Sequence, residues 1–224
     1  MLDKSKTDPK LGREIHQLLH DTGIETPMID STFQTESEKF TAIRDSFKTI
    51  MQTLGMDLTD DSLSETPNRI AKMYLNEIFW GLDYNNFPKV TTIDNKMQYN
   101  SMLLERNIKV SSFCEHHFVN FVGSAYVAYI PHGKIIGLSK INRIVEFFCR
   151  RPQVQERLCE QIWAALCHVL ETEDVAVLIR AEHFCVKSRG VEDINSDTVT
   201  SRLGGLFYDS EQRDEFYKVL NFGV

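Results

Sequence analysis

Between residues 36 and 54 the apolar side chains fall at Phe40, Ile43, Phe47, Ile50, Met51 and Leu54. Spacings of three and four put them in one stripe along a helix, and Gly55 is a fitting stop. A second stripe, Ile70, Met73, Tyr74 and Ile78, follows Thr66-Pro67. Thr66 is the expected cap, Pro67 the first helical residue and Gly81 the end. Residues 82–100, with Pro88 and several Asn, predict mostly loop. The pattern then changes. Residues 103–112 and 119–130 are rich in Val, Ile, Phe and Tyr and predict strands, with Gly123 interrupting the second. Pro131-His132-Gly133 predicts a turn into Ile135-Ile136. Ser139 leads a helical stripe of Ile141, Ile144, Val145 and Phe148. Pro152 leads another, of Val154, Leu158, Ile162, Leu166 and Val169. Residues 175–187 predict a strand, and the stretch from Phe207 to Val224 a short final helix. Residues 1–35 carry only Ile15, Leu18 and Leu19 as a helical hint before Thr22, Gly23, Pro27 and Asp30 break it. They predict a short helix and a mobile arm. The whole predicts an α+β protein with no internal repeat. Its expected divisions are a leader (1–35), a helical part (36–100) and a strand-rich domain (101–224).

The chain has 224 residues, enough for one large domain or a domain with an appendage. A formal net charge of −7 argues against a general nucleic-acid binder. No apolar run approaches the ~20 residues of a membrane helix. Met1 to Gly12 lacks the apolar core of a secretion signal, and Asp3, Asp8 and Glu14 argue against a transit peptide. Five cysteines, an odd number without short-spaced pairing, point to a reducing cytoplasm.

Chemistry gathers at Cys114-Glu115-His116-His117 and at His183-Phe184-Cys185. If the second lies on a strand, His183 and Cys185 share a face. In the first, Cys114 and His117 are spaced to wrap an ion. Zinc takes thiolate and imidazole, and three protein ligands leave a position open for chemistry. Cys114, His117 and Cys185 are the expected ligands, with His116 and His183 beside them as acid–base groups. A four-ligand structural zinc is the alternative that spacing leaves open. Cys149, Cys159 and Cys167 fall in predicted helices and read as structural, and His132 as a solvated turn residue. No GxxxxGKS or GxxxxGKT loop is present, yet basic residues recur near the two clusters. These are Lys140 and Arg143 after Ser139, Lys187 and Arg189 after Cys185, and Arg69 and Lys72 after Pro67. They suit phosphate oxygens, or simply a solvated face. Gln155 and Glu156 open a helix. The helix dipole is reason enough for a carboxylate there, and a guanine N–H edge is another.

Several stretches resemble the GTP cyclohydrolase I family. They are Cys114-Glu-His-His117, Gly137-Leu-Ser-Lys-Ile-Asn-Arg143, Arg151-Pro-Gln-Val-Gln-Glu-Arg157 and His183-Phe-Cys-Val-Lys-Ser-Arg-Gly190. Glu65-Thr-Pro-Asn-Arg69 and Leu203-Gly-Gly-Leu-Phe207 join them, so the resemblance spans about residues 36–222. It implies a tunnelling fold, an antiparallel sheet with two helices on one face after an N-terminal helical part. It implies a homodecamer of two pentamers with active sites where subunits meet. The implied reaction opens GTP at C8 with zinc, releases formate and closes 7,8-dihydroneopterin triphosphate. On this sequence it implies zinc on Cys114, His117 and Cys185, and proton transfer by His116 and His183. Ser139 would lie near the ribose and phosphates. Glu156, with Gln155 beside it, would hold the base. Lys140, Arg143 and Arg189 would hold the triphosphate, with Arg69 and Lys72 as helpers. Two positions depart from the family pattern: Phe184 stands where Tyr is common, and Arg202 replaces a small polar residue. A nucleobase deaminase would need HxE with a later PCxxC, and neither occurs. A nitrile reductase of the same fold would lack this Cys and His set.

Overall fold

The computed structural model describes residues 2–29 and 35–220. Two compact units are present, Met1–Leu2 with Pro27–Trp80, and Asp3–Thr26 with Gly81–Val224. Helix α1 (Pro9–Asp21) is part of the larger unit, where Ile15 and Leu19 are completely buried. Asp8 caps it, accepting hydrogen bonds from the amides of Lys10 and Leu11, with Pro9 at its first turn.

The smaller unit is helical. Helix α2 (Glu36–Thr53) starts with a reciprocal cap between Thr35 and Glu38 and ends just before Gly55, as its stripe predicts. Helix α3 (Thr66–Met73) is capped by Glu65 rather than Thr66, without a side-chain bond. It runs into a π-helical turn at Tyr74–Ile78.

The larger unit holds strands β1 (Thr92–Asp94), β2 (Leu103–Cys114), β3 (Asn120–Tyr129) and β4 (Lys134–Ile136). Helix α4 (Leu138–Cys149), strand β5 (Pro152–Gln153) and helix α5 (Gln155–Leu170) follow. Strand β6 (Val175–His183), helix α6 (Phe184–Lys187), strand β7 (Thr198–Leu203) and helix α7 (Ser210–Leu220) complete it. The main sheet has the order β5-β2-β3-β6-β7 and is antiparallel except for the two-residue β5, while β1 pairs with β4. Residues two apart on a strand share a face. One face presents Ile108, Val110, Ala125, Val127, Val177 and Ile179, all buried, and α4 and α5 pack on the sheet and on each other. On the other face Ala128, Ile130, Ala176 and Leu178 pack with Phe207 and Phe216. This is the antiparallel sheet with two helices, preceded in the chain by a helical N-terminal part, that the resemblance implies. Gly123 is required by the sheet itself, since a Cβ there would come within 2.0 Å of the Arg180 carbonyl oxygen.

Two expectations need correction. Pro152 begins β5 at the sheet edge, where its missing N–H is harmless, and α5 starts only at Gln155. The strand expected over 175–187 ends at His183, and residues 184–187 turn into α6.

Arg151 ties the segments together. It is fully buried, donates to the Gly81 carbonyl and to Tyr84 Oη at 3.0 Å, and lies 3.9 Å from the Glu25 carboxylate. Its guanidinium sits 4.7–5.0 Å from the ring centres of Tyr84, Phe147 and Phe148. Removing one member of a buried charge pair costs far more than the pair gains. Arg151→Ala is expected to lower the unfolding free energy by ~3–5 kcal/mol. Urea titration of the two proteins reads this directly, and equal midpoints would show that the contacts contribute nothing net.

Candidate active site

The first cluster sits where β2 hands over to β3. Cys114 is the last residue of β2, and the chain turns at once. The Phe118 amide donates to the Cys114 carbonyl at 2.8 Å, and the Cys114 amide to the Val119 carbonyl at 2.8 Å. Phe118 takes a positive φ of 53° to close this turn. The turn brings His117 back, with Nδ1 4.0 Å from Cys114 Sγ, while His116 Nδ1 lies 3.6 Å from the same sulfur. The second cluster arrives beside it because Phe121 of β3 pairs with His183 at the end of β6. Cys185 reaches the site from α6, not from the strand the spacing suggested. The nearest ligand atoms of Cys114, His117 and Cys185 lie within 4.8 Å of one another. Both cysteines are buried. Burial, and then the neighbouring Cys114 thiol, push the Cys185 thiol above its ordinary range. Two convergent sulfurs and one imidazole are a donor set that zinc accepts, with a further position left for water. The residues therefore fit the metal.

His183 is held on two sides. Its ring stacks on Phe121 at 4.6 Å with an 11° interplanar angle. Its Nε2 lies 2.8 Å from Oε1 of Gln155, a residue 2% exposed. Burial pushes the His183 imidazole below its ordinary value, and the Glu156 carboxylate acts in the opposite direction. Gln155 is the first residue of α5, and its amide nitrogen donates to the carbonyls of Ile179 (3.1 Å) and Thr198 (3.0 Å). The Gln155 amide is thus engaged on both sides with the protein's own groups. Glu156 is exposed, next to it. The metal turn is also tied to α5 by an ion pair that sequence reading missed. Arg157 donates to both oxygens of Glu115, at 2.6 and 3.3 Å. The partners are 42 positions apart, so no local pattern announces them. Arg189 donates from Nη1 to His117 Nε2 at 3.1 Å, which leaves Nδ1 as the nitrogen turned toward Cys114.

The sequence profile of GTP cyclohydrolase I matches residues 43–221. The chain belongs to the GTP cyclohydrolase I family. It is 58% identical over 193 residues to GTP cyclohydrolase 1 of Aeromonas salmonicida, covering 86% of this chain and 88% of that one. It is 54% identical over 209 residues to GTP cyclohydrolase 1 of Mannheimia succiniciproducens, covering 93% and 95%. With the protein of that name from Haemophilus ducreyi the identity is 52% over 210 residues, covering 93% and 96%.

Not every stretch that resembles GTP cyclohydrolase I gathers at the metal turn. Helix α4 runs back along β2, with Asn142, Glu146 and Cys149 lining one open cavity with Ile108, Lys109 and Ser111. Its C-terminal end leads to Arg151, whose carbonyl accepts from Ser112, two residues before Cys114. Its N-terminal end follows Ile136, whose amide donates to the hydroxyl of Tyr129, at the far end of β3 from Phe121. Ser139 and Lys140 therefore stand at the opposite end of the sheet from Cys114, and Arg143 on the turn after them. Arg69 and Lys72 lie on α3 of the Pro27–Trp80 unit.

Other candidates resolve as packing. Burial pushes the thiols of Cys149, Cys159 and Cys167 up to about 12, as inert structural cysteines require. His132 is not merely solvated, because its Nε2 pairs with the Asp174 carboxylate. Arg202, which departs from the family pattern, lies 4.1 Å over the Trp163 ring and bonds Glu160 at 3.0 Å. Lys187 pairs with Glu182 at 3.0 Å.

Proposed function

We propose that this chain is a zinc-dependent GTP cyclohydrolase I. It hydrolyses the purine imidazole ring of GTP at C8, releases formate and recloses the product as 7,8-dihydroneopterin triphosphate. That is the entry to folate and pterin biosynthesis, and a cytoplasmic setting suits it. Among the described residues no helix is long and apolar enough to cross a membrane. The observation that carries the reading is the convergence of Cys114, His117 and Cys185 with His116 and His183, inside a family match covering most of the chain.

Zinc on those three residues would supply Lewis acidity and make water nucleophilic near neutral pH. His116, 3.6 Å from Cys114, and His183 move protons as the ring opens and formate departs. Glu156 accepts the N–H edge of the guanine through its carboxylate. Arg189, Lys140 and Arg143 hold the triphosphate, with Arg69 and Lys72 as helpers, and Ser139 lies by the ribose. Gripping base and triphosphate together keeps each intermediate in register for the next step. Ser139 and Lys140 lie toward the end of the sheet away from Cys114, with Arg143 one turn on. They would complete the site of a neighbouring copy, which is why we infer a homo-oligomer; that it is a decamer of two pentamers rests on the family resemblance.

Zinc-loaded protein incubated with GTP is expected to yield formate and the dihydropterin absorbance in equal amounts, and neither after chelation. Tightly bound zinc with no formate would favour a structural metal and overturn the reading.

A further inference from the structure

Gln155 is a buried amide whose orientation is forced. Its nitrogen faces the backbone carbonyls of Ile179 and Thr198 and the hydroxyl of Thr200, at 3.1, 3.0 and 3.2 Å. Carbonyl oxygens only accept, so the opposite orientation would set the amide oxygen against two other oxygens. Oε1 must then be the atom 2.8 Å from His183 Nε2, and it too can only accept. The proton in that bond belongs to the imidazole. A neutral imidazole carries one N–H, so its other nitrogen is a bare acceptor. Flipping the ring by 180° would keep its stacking on Phe121 but set Cε1 in place of Nε2 against Oε1 and lose this bond.

We propose that Gln155 is a positioning residue, whose side-chain carbonyl holds His183 as the Nε2–H tautomer and leaves Nδ1 as the nitrogen that exchanges protons with the substrate. This rests on the proposed role of His183 in proton transfer. The device works through strand pairing. Thr198 and Thr200 lie on β7 and Ile179 on β6, so the sheet aims the amide and the amide fixes the imidazole. Base recognition then falls to Glu156, the exposed neighbour.

The test is solid-state 15N NMR of the zinc-loaded protein labelled in histidine, with the His183 signals assigned by difference against His183→Gln. The wild-type ring is expected to show a protonated Nε2 and a bare Nδ1. In Gln155→Met, of similar length and without the acceptor, His183 is expected to become a mixture of tautomers. Turnover should fall by about 10–100-fold, by analogy with the loss of outer partners that orient the histidines of metal sites, with KM for GTP nearly unchanged. A wild-type proton on Nδ1 would overturn the proposal without need of any variant. So would an unchanged tautomer in Gln155→Met, or a raised KM with kcat kept, which would return Gln155 to the base. His183→Ala separates the two ideas: full turnover in that variant would remove His183 from proton transfer, while the tautomer result would stand on its own.

Discussion

His183→Ala and His116→Ala are each expected to keep bound zinc and to lose about 10²–10⁴-fold in turnover, the usual contribution of a positioned acid–base group. The metal set does not need either ring. Cys114, His117 and Cys185 converge by themselves, and three protein ligands suffice for a zinc that performs chemistry. His183 has its Nε2 taken up by Gln155. His116 is the closer case, because its Nδ1 approaches Cys114 Sγ more nearly than His117 does. Metal analysis of the purified variants decides between roles. Zinc lost from His116→Ala but not from His117→Ala would exchange the two residues. Zinc lost from both His116→Ala and His183→Ala would end the three-ligand assignment. Zinc kept with full turnover would leave the proton transfers to water.

Much of this architecture is legible along the chain because the relevant order is local. The stripe from Phe40 to Leu54 specifies α2, and its capping box and Gly55 lie within a turn of each end. Cys114 and His117 are read as partners because a turn can join residues three apart. What escapes is set by distant segments. The run Phe184-Cys-Val-Lys has strand-like composition, yet β7 pairs with β6 only as far as Ala181, and the chain turns helical beyond His183. Pro152 looks like a helix start until Phe113 is seen to pair with it. The bonds of Gln155 reach residues 24 to 45 positions away, and Arg157 finds Glu115 across 42. Nothing in the spacing of Gln155 distinguishes an amide that touches a base from one that orients a histidine. Nor does sequence order show that Ser139 and Lys140 stand at the opposite end of the sheet from the sulfurs.

Cys185→Ser is expected to bind zinc far more weakly than the wild type and to lose formate production, while keeping its fold. A serine hydroxyl stays protonated near neutral pH and offers no thiolate. Losing an outer partner of a metal ligand already costs about 10–100-fold in affinity or activity, so loss of the ligand itself should exceed that. The fold should survive because it does not lean on the metal. The sheet buries Ile108, Val110, Ala125, Val127, Val177 and Ile179 beneath two helices, and Cys185 sits on a four-residue helix at one end of it. A structural zinc behaves differently, since its binding energy is folding energy. Zinc titration with a competing chelator, alongside the thermal melt of the same variant, separates the cases. Weak zinc and lost formate with a melt close to that of chelated wild type mark an open, working metal. A variant that unfolds as its zinc is lost, with chelated wild type unfolding too, would mean that these sulfurs hold the protein together rather than carry out its reaction.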